Sequence, residues 1–205
     1  MRFRTFENQI APMLVFNLND IRKIDATFKR QQLNYWLKQK YIYKLVAGYY
    51  YLHNQPITES ILYFTANHIY EPSYISLETA LAYYQIIPEH VFGVTSISTR
   101  KTKTFHSEWG QFSYRSISNR LIFGYQIVVI SPNVKFKIAK LEKVILDYLY
   151  LNSDIQSEDD FEGLRWNRTP LKTLRQNSTF HEYRKSFNNQ SLNKRIAKMW
   201  EYVNA

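Results

Sequence analysis

The stretch that decides the fold is residues 27–52, TFKRQQLNYWLKQKYIYKLVAGYYYL. Its first half predicts a helix over Thr27–Gln39, with Thr27 as the capping residue. Its second half predicts two strands, Tyr41–Leu45 and Tyr49–Leu52, since both are rich in Tyr and aliphatic residues. Gly48 lies in the turn between them and can take the positive φ that a tight turn requires. A helix followed by a β-hairpin is therefore expected.

Two shorter helices are predicted before this stretch. A helical pattern spans residues 6–16, although Pro12 predicts a kink or a late start. Asn17 and Asp20 have the spacing of a capping pair for a second, short helix. Three helices and a hairpin within about 50 residues are typical of a winged helix-turn-helix, a DNA-binding fold. We predict such a domain at residues 1–53.

The predicted third helix has an apolar face and a polar face. Phe28, Leu33, Trp36 and Leu37 would pack on the first two helices. The outward stripe carries amides, which can read adenine edges, together with Lys and Tyr, which suit guanine edges or phosphates. Basic residues near the helix start and in the hairpin would contact backbone phosphates. The predicted DNA contacts are Thr27, Lys29, Arg30, Gln31, Asn34, Tyr35, Lys38, Lys44 and Gly48.

Positive charge is concentrated at the N-terminus. The chain has 27 Lys and Arg against 17 Asp and Glu, a formal net charge of +10. Residues 1–55 contain nine of these bases and three of the acids, so they carry +6 and the rest of the chain +4. Clustered positive charge binds polyphosphates because counterions are released. A solvated basic surface would also explain the charge. The charge lies in the same segment as the polar stripe and the hairpin, however, and this agreement favours DNA binding.

A second, larger domain is predicted after a polar boundary at residues 53–56. It would span residues 57–205 and contain an antiparallel sheet of four or five strands within residues 92–138. The predicted fold class is therefore α+β, an N-terminal winged helix-turn-helix followed by a mixed domain with C-terminal helices. Helical patterns occupy 57–67, 76–85, 139–151, a helix start at 158–160, 170–187 with a break near residue 177, and 192–203.

Several short motifs within residues 6–150 come in an order that is typical of one known family. They are Gly48-Tyr49-Tyr50, Tyr74-Ile75-Ser76-Leu77, Ala80-Leu81, Ile86-Ile87-Pro88-Glu89, Thr99-Arg100, Phe105, Gly110, Phe112, Tyr114, and Ala139-Lys140-Leu141-Glu142-Lys143 with Asp147. Together they resemble the AbiEi-family antitoxins of type IV (AbiE) toxin–antitoxin systems. Two positions depart from the pattern: Gln85, where a glycine is expected, and Pro12 in the first helix.

The resemblance implies a transcriptional regulator that represses its own operon through the winged helix. It also implies that residues 57–205 counteract a nucleotidyltransferase-type toxin, as part of abortive-infection defence against phage. The expected partners are thus double-stranded operator DNA and the cognate toxin, whether or not the two proteins touch. An alternative is a protein-interaction module whose winged helix is a docking surface that binds no DNA.

The sequence predicts no catalytic activity, no cofactor and no metal site. The chain has no Cys, and its five glycines form no phosphate-binding loop. The acidic run 158–160 could hold a divalent cation, but a helix start is favoured. An enzyme remains the third alternative, in which Asp159 or His90 would matter. The histidines are isolated along the sequence: His53, His68, His90, His106 and His181.

Two other groups of residues suggest further contacts. The basic group Arg100, Lys101 and Lys103 would either touch DNA flanks or the toxin, or form a solvated hairpin. In residues 165–168, a Trp lies among cations and can stack on a base, although a buried Trp is favoured.

No apolar run reaches the length of a signal peptide or a membrane span. We therefore expect a soluble, cytoplasmic protein with no membrane partner.

Overall fold

The computed structural model describes residues 2–53, 56–88 and 92–205. The helices are α1 Phe3–Ile10, α2 Leu18–Ile24, α3 Arg30–Lys38, α4 Glu59–Ile69, α5 Leu77–Tyr83, α6 Leu141–Leu151, α7 Glu158–Leu164, α8 Arg168–Leu174, α9 Ser178–Phe187 and α10 Gln190–Asn204. The strands are β1 Val15–Asn17, β2 Ile42–Val46, β3 Tyr49–Leu52, β4 Ser73–Ile75, β5 Val94–Ser98, β6 Lys103–Ser107, β7 Gly110–Ser116, β8 Tyr125–Ser131 and β9 Val134–Ala139. The chain is thus a mixed α+β protein, as predicted.

The N-terminal part combines α1, α2 and α3 with a small antiparallel sheet. The strand order of this sheet is β1-β3-β2. The predicted cap of α2 is confirmed, because Asn17 and Asp20 form a reciprocal capping box. The first helix is shorter than predicted: α1 ends at Ile10, and Pro12 lies in a 3-10 turn, where its missing N–H removes no helical hydrogen bond.

The small sheet is buried on both faces. Phe16 and Tyr50 belong to an aromatic core with the three N-terminal helices, where Phe6 and Trp36 lie 4.5 Å apart between ring centroids. Val15 is next to Phe16 on β1, and Tyr51 is next to Tyr50 on β3. Both belong instead to the core of the rest of the chain. This alternation follows from the two-residue period of a strand. The sheet therefore joins the helices of the N-terminal part to everything after it.

The second sheet has the strand order β6-β7-β5-β4-β9-β8. The four or five strands predicted within residues 92–138 are confirmed as five strands, β5 to β9. The antiparallel pairings are β4–β5, β6–β7 and β8–β9. Two pairings, β4–β9 and β5–β7, are parallel and were not predicted. The sheet is therefore mixed rather than purely antiparallel.

The C-terminal helices follow the predicted pattern closely. Ser157 and Asp160 form a capping box at the start of α7, which confirms the acidic run as a helix start. The break near residue 177 is also confirmed, since Asn177 caps α9. Trp166 is 2% exposed and packs inside, as favoured. None of the described helices combines the length and the apolar character needed to cross a membrane.

Some predictions fall on residues that the structure does not describe. Residues 54–55 of the predicted linker, and Glu89 and His90, are not among the residues that the structure describes. Gln85, one of the two departures from the motif pattern, takes a φ of 57°. Residues other than glycine rarely adopt that backbone conformation.

Candidate nucleic-acid interface

Helix α3 is fixed by its apolar side. Leu33 and Trp36 are each 2% exposed, and Trp36 packs on Phe6 and Phe28 at centroid distances of 4.5 and 5.1 Å. The predicted division of the helix into two faces is therefore confirmed. The closely packed aromatic rings fix the rotation of α3 about its own axis. The opposite face of α3 therefore points in a defined direction.

The opposite face carries the predicted polar stripe. Gln31, Asn34 and Lys38 are exposed, and the ring of Tyr35 is 54% exposed. Within the described parts of the chain, these four side chains have no hydrogen bond or ion pair. Their donors and acceptors are thus free to meet another molecule.

The start of α3 differs from the prediction. Thr27 does not cap the helix, because the helix begins three residues later, at Arg30. The hydroxyl and the backbone N–H of Thr27 both donate to Asp25 Oδ1, at 2.6 and 3.0 Å. These two hydrogen bonds lower the pKa of the Asp25 carboxyl. The N-cap residue is Lys29, whose side chain makes no capping hydrogen bond. The helix therefore begins with Lys29 and Arg30 exposed beside backbone N–H groups that no side chain caps.

The hairpin that follows α3 presents one basic residue and a tight turn. Lys44 is exposed on β2, and Gly48 is exposed with a φ of 86°. A Cβ atom at Gly48 would meet no atom within 4 Å. The glycine is therefore required for its backbone conformation and not for space.

The second basic group lies near this hairpin. Arg100 and Lys101 are in the loop before β6, and Lys103 is the first residue of β6, which packs against β2 from a different sheet. Arg100 is held in place: its guanidinium lies 4.1 Å from the centroid of the Tyr70 ring, and its Nη1 donates to the Glu71 carbonyl at 3.3 Å. Lys103 Nζ lies 4.5 Å from the Phe105 ring centroid. Lys101 is exposed. A contact of this group with DNA or a toxin stays a prediction.

A tyrosine fixes the hairpin to the second sheet. Tyr51 Oη donates to Glu108 at 2.9 Å, and its ring lies 4.6 Å from that of Trp109. Burial, followed by the hydrogen bond to Glu108, raises the pKa of Tyr51 to about 12. The orientation of the hairpin relative to β6 and β7 is therefore set by a specific contact.

The sequence motifs also contain a buried polar cluster that was not predicted. Tyr74 and Ser76 donate to Asp147 Oδ2 at 2.9 and 3.0 Å, and Lys143 donates to Tyr74 Oη at 2.8 Å and to Asp147 Oδ1. All four residues are 1% exposed or less. The spacing of Lys143 and Asp147, one helical turn apart, was a signal for an ion pair. The cluster lies in the core and not at the candidate interface.

The chain matches no known protein-family model and no curated protein. The resemblance to AbiEi-family antitoxins therefore depends on the motifs quoted above and stays a prediction.

Proposed function

We propose that residues 2–53 form a winged helix that binds double-stranded DNA, and that the protein regulates transcription of its own operon. The element order α1-β1-α2-α3-β2-β3, with strand order β1-β3-β2, supports this assignment. In it, α3 is the recognition helix, and the β2–β3 hairpin is the wing.

The observation that carries the proposal is the exposed stripe of α3. An α-helix of nine residues is about 14 Å long, and the major groove is about 12 Å wide, so most of the helix can lie along base edges. Gln31, Asn34 and Tyr35 would face the bases. Lys29, Arg30 and Lys38 would contact phosphates, and Lys44 and Gly48 would approach the adjacent backbone.

Electrostatics supports the same proposal. The N-terminal quarter carries +6, and the three predicted phosphate contacts of α3 have no carboxylate partner among the described residues. Such charges gain affinity for DNA by counterion release.

The antitoxin activity is a separate proposal that depends on the sequence resemblance alone. Its test is co-expression with the product of a neighbouring nucleotidyltransferase reading frame, and the expected result is restored growth.

The direct test of DNA binding is fluorescence anisotropy with two duplexes of equal length. One carries the region upstream of the gene, and the other has the same bases in shuffled order. We expect tighter binding to the upstream duplex and a steep loss of affinity with salt. Lys38→Ala should weaken binding to both duplexes. Lys172→Ala, at an exposed lysine on α8, removes the same positive charge away from α3 and is the matched control. Equal affinity for both duplexes would favour a docking domain that binds protein.

A further inference from the structure

The second sheet is split between two of its central strands. β4 and β9 are paired in parallel at Ile75 and Ile138 alone. Toward Ser73 and Phe136 the ladder stops, and the backbone N–H of Lys137 donates to the side-chain oxygen of Asn67 on α4. A helix side chain thus takes the place of a strand neighbour. The split leaves a cleft between the strands and α4.

The cleft has the size and the composition of a small-molecule site. Its volume is about 410 Å³, within the usual range for ligand pockets of roughly 300–1,000 Å³. Phe64, Ile127 and Phe136 give it an apolar wall, and the side chain of Ile127 is 58% exposed. The other lining residues are polar and come from α4, the segment after it, β4 and β9.

Two buried polar atoms at this cleft lack a hydrogen-bond partner. Asn67 is 9% exposed and Ser73 is 5% exposed, and neither Asn67 Nδ2 nor Ser73 Oγ is paired. Buried polar groups are nearly always hydrogen-bonded, so each exception needs an explanation. Among the described residues, five buried side-chain polar atoms are unpaired, and these two line the same cleft. Once their side chains turn toward the cleft, both groups would donate to a ligand with hydrogen-bond acceptors.

The charges at the cleft indicate the sign of that ligand. Lys135 and Lys137 line it, and neither forms an ion pair within the described chain. His68 lines it too, with Nε2 3.9 Å from Asp20 Oδ2. The acid at the rim is Glu71, which is exposed to solvent. Amide and ammonium donors therefore outnumber the acceptors.

We propose that this cleft binds a small organic anion with an apolar body and a carboxylate or phosphate group. The body would pack on Phe64, Ile127 and Phe136, and the anionic group would accept from Asn67 Nδ2 and the ammonium groups of Lys135 and Lys137. The hydroxyl of Ser73 would reach it by rotation about χ1. The site goes beyond DNA binding and does not depend on it.

Isothermal titration calorimetry with the full chain tests the proposal with three probes of similar size. Benzoate carries a carboxylate, phenyl phosphate carries a phosphate, and benzyl alcohol carries no charge. We expect at least one anion to bind with a Kd below about 1 mM, and benzyl alcohol to bind at least tenfold more weakly. The two anions distinguish a carboxylate site from a phosphate site.

Two substitutions with matched controls locate the binding. Ser73→Ala removes an unpaired hydroxyl, so its effect on stability is small, but it should weaken binding about fivefold because one hydrogen bond is lost. Ser96 on β5 is also buried and unpaired and does not line the cleft, so Ser96→Ala should leave the Kd unchanged. Lys137→Gln should weaken binding about tenfold or more, whereas Lys185→Gln on α9 should not.

Three results would overturn the proposal. The first is no heat of binding for either anion up to millimolar concentration. The second is equal binding of benzyl alcohol and the anions. The third is a Kd that Ser73→Ala and Lys137→Gln leave unchanged, because the anion would then bind elsewhere on this basic protein.

Discussion

Lys143 and Asp147 form an ion pair on successive turns of α6, and neither side chain is exposed to solvent. Burial lowers the pKa of Lys143 and raises that of Asp147, while their mutual attraction acts in the opposite direction on both. Two more hydrogen bonds, from Tyr74 and Ser76, satisfy the remaining carboxylate oxygen. Both charged groups therefore have hydrogen-bond partners within the core.

Loss of one partner of this pair should be strongly destabilising. Lys143→Met leaves a buried carboxylate without its cation, and we expect the free energy of unfolding to fall by about 3–5 kcal/mol. Urea denaturation followed by circular dichroism measures it. The double variant Lys143→Met with Asp147→Asn removes both charges and should lose less than the sum of the single variants. Strict additivity would contradict a coupled pair.

The burial of Tyr51, together with its hydrogen bond to Glu108, predicts a specific pH dependence. The folded pKa of Tyr51, about 12, is above its ordinary value of 10.0, so its contribution is complete below pH 10 and is lost as the pH rises toward 12. We expect wild type to be more stable than Tyr51→Phe at pH 7, and the difference to shrink between pH 10 and 12. Thermal unfolding of both proteins across that range measures it. A constant difference would mean that the pKa of Tyr51 is not raised in the folded protein.

The positive φ of Gly48 makes the β2–β3 turn sensitive to substitution. Gly48→Ala should destabilise the protein by about 1–2 kcal/mol, because an L-residue is strained at this φ although no atom blocks its Cβ. Gly163 on α7 is the control, since it has a negative φ and open space. Gly163→Ala should be neutral or stabilising by up to about 1 kcal/mol. Equal effects in denaturant titrations would contradict the conformational role of Gly48.

Asn34 lies at the centre of the exposed stripe, so its amide should read a base. Asn34→Ala is expected to reduce affinity for the upstream duplex by about 1–3 kcal/mol, with little change on the shuffled duplex. Competition binding of the two duplexes measures the ratio directly. An equal loss on both would argue against base reading by this residue.

Lys38 should behave differently, because a phosphate contact carries no sequence information. Lys38→Ala is expected to weaken binding to both duplexes alike and to lower the slope of log affinity against log salt by about 0.9. A salt series between about 50 and 200 mM measures that slope. A change in sequence preference without a change in slope would assign Lys38 to a base.

Local patterns predicted much of the fold. The two faces of α3 follow from helical periodicity, and the capping box of α2 follows from the spacing of Asn17 and Asp20. Strands β1 and β4 were missed because three residues are too few to show an alternating pattern. Thr27 was wrongly predicted as a cap because α3 begins three residues later, at Arg30, after a turn in which Thr27 donates to Asp25.

Features that depend on distant residues were beyond sequence reasoning. The cleft at Asn67 and Ser73 forms because β9, more than 60 residues further along the chain, diverges from β4. No local pattern encodes that divergence. The parallel pairing of β5 with β7 is similar, since it requires β6 to lie outside them both.

The small sheet between the two cores has a mechanical consequence. Val15, Leu45 and Tyr51 turn their side chains away from the N-terminal helices and into the core of the second part. A fragment cut after residue 53 would leave these side chains in water, and it would tend to self-associate. The N-terminal part is thus not a portable module, and α3 turns only when the whole molecule turns.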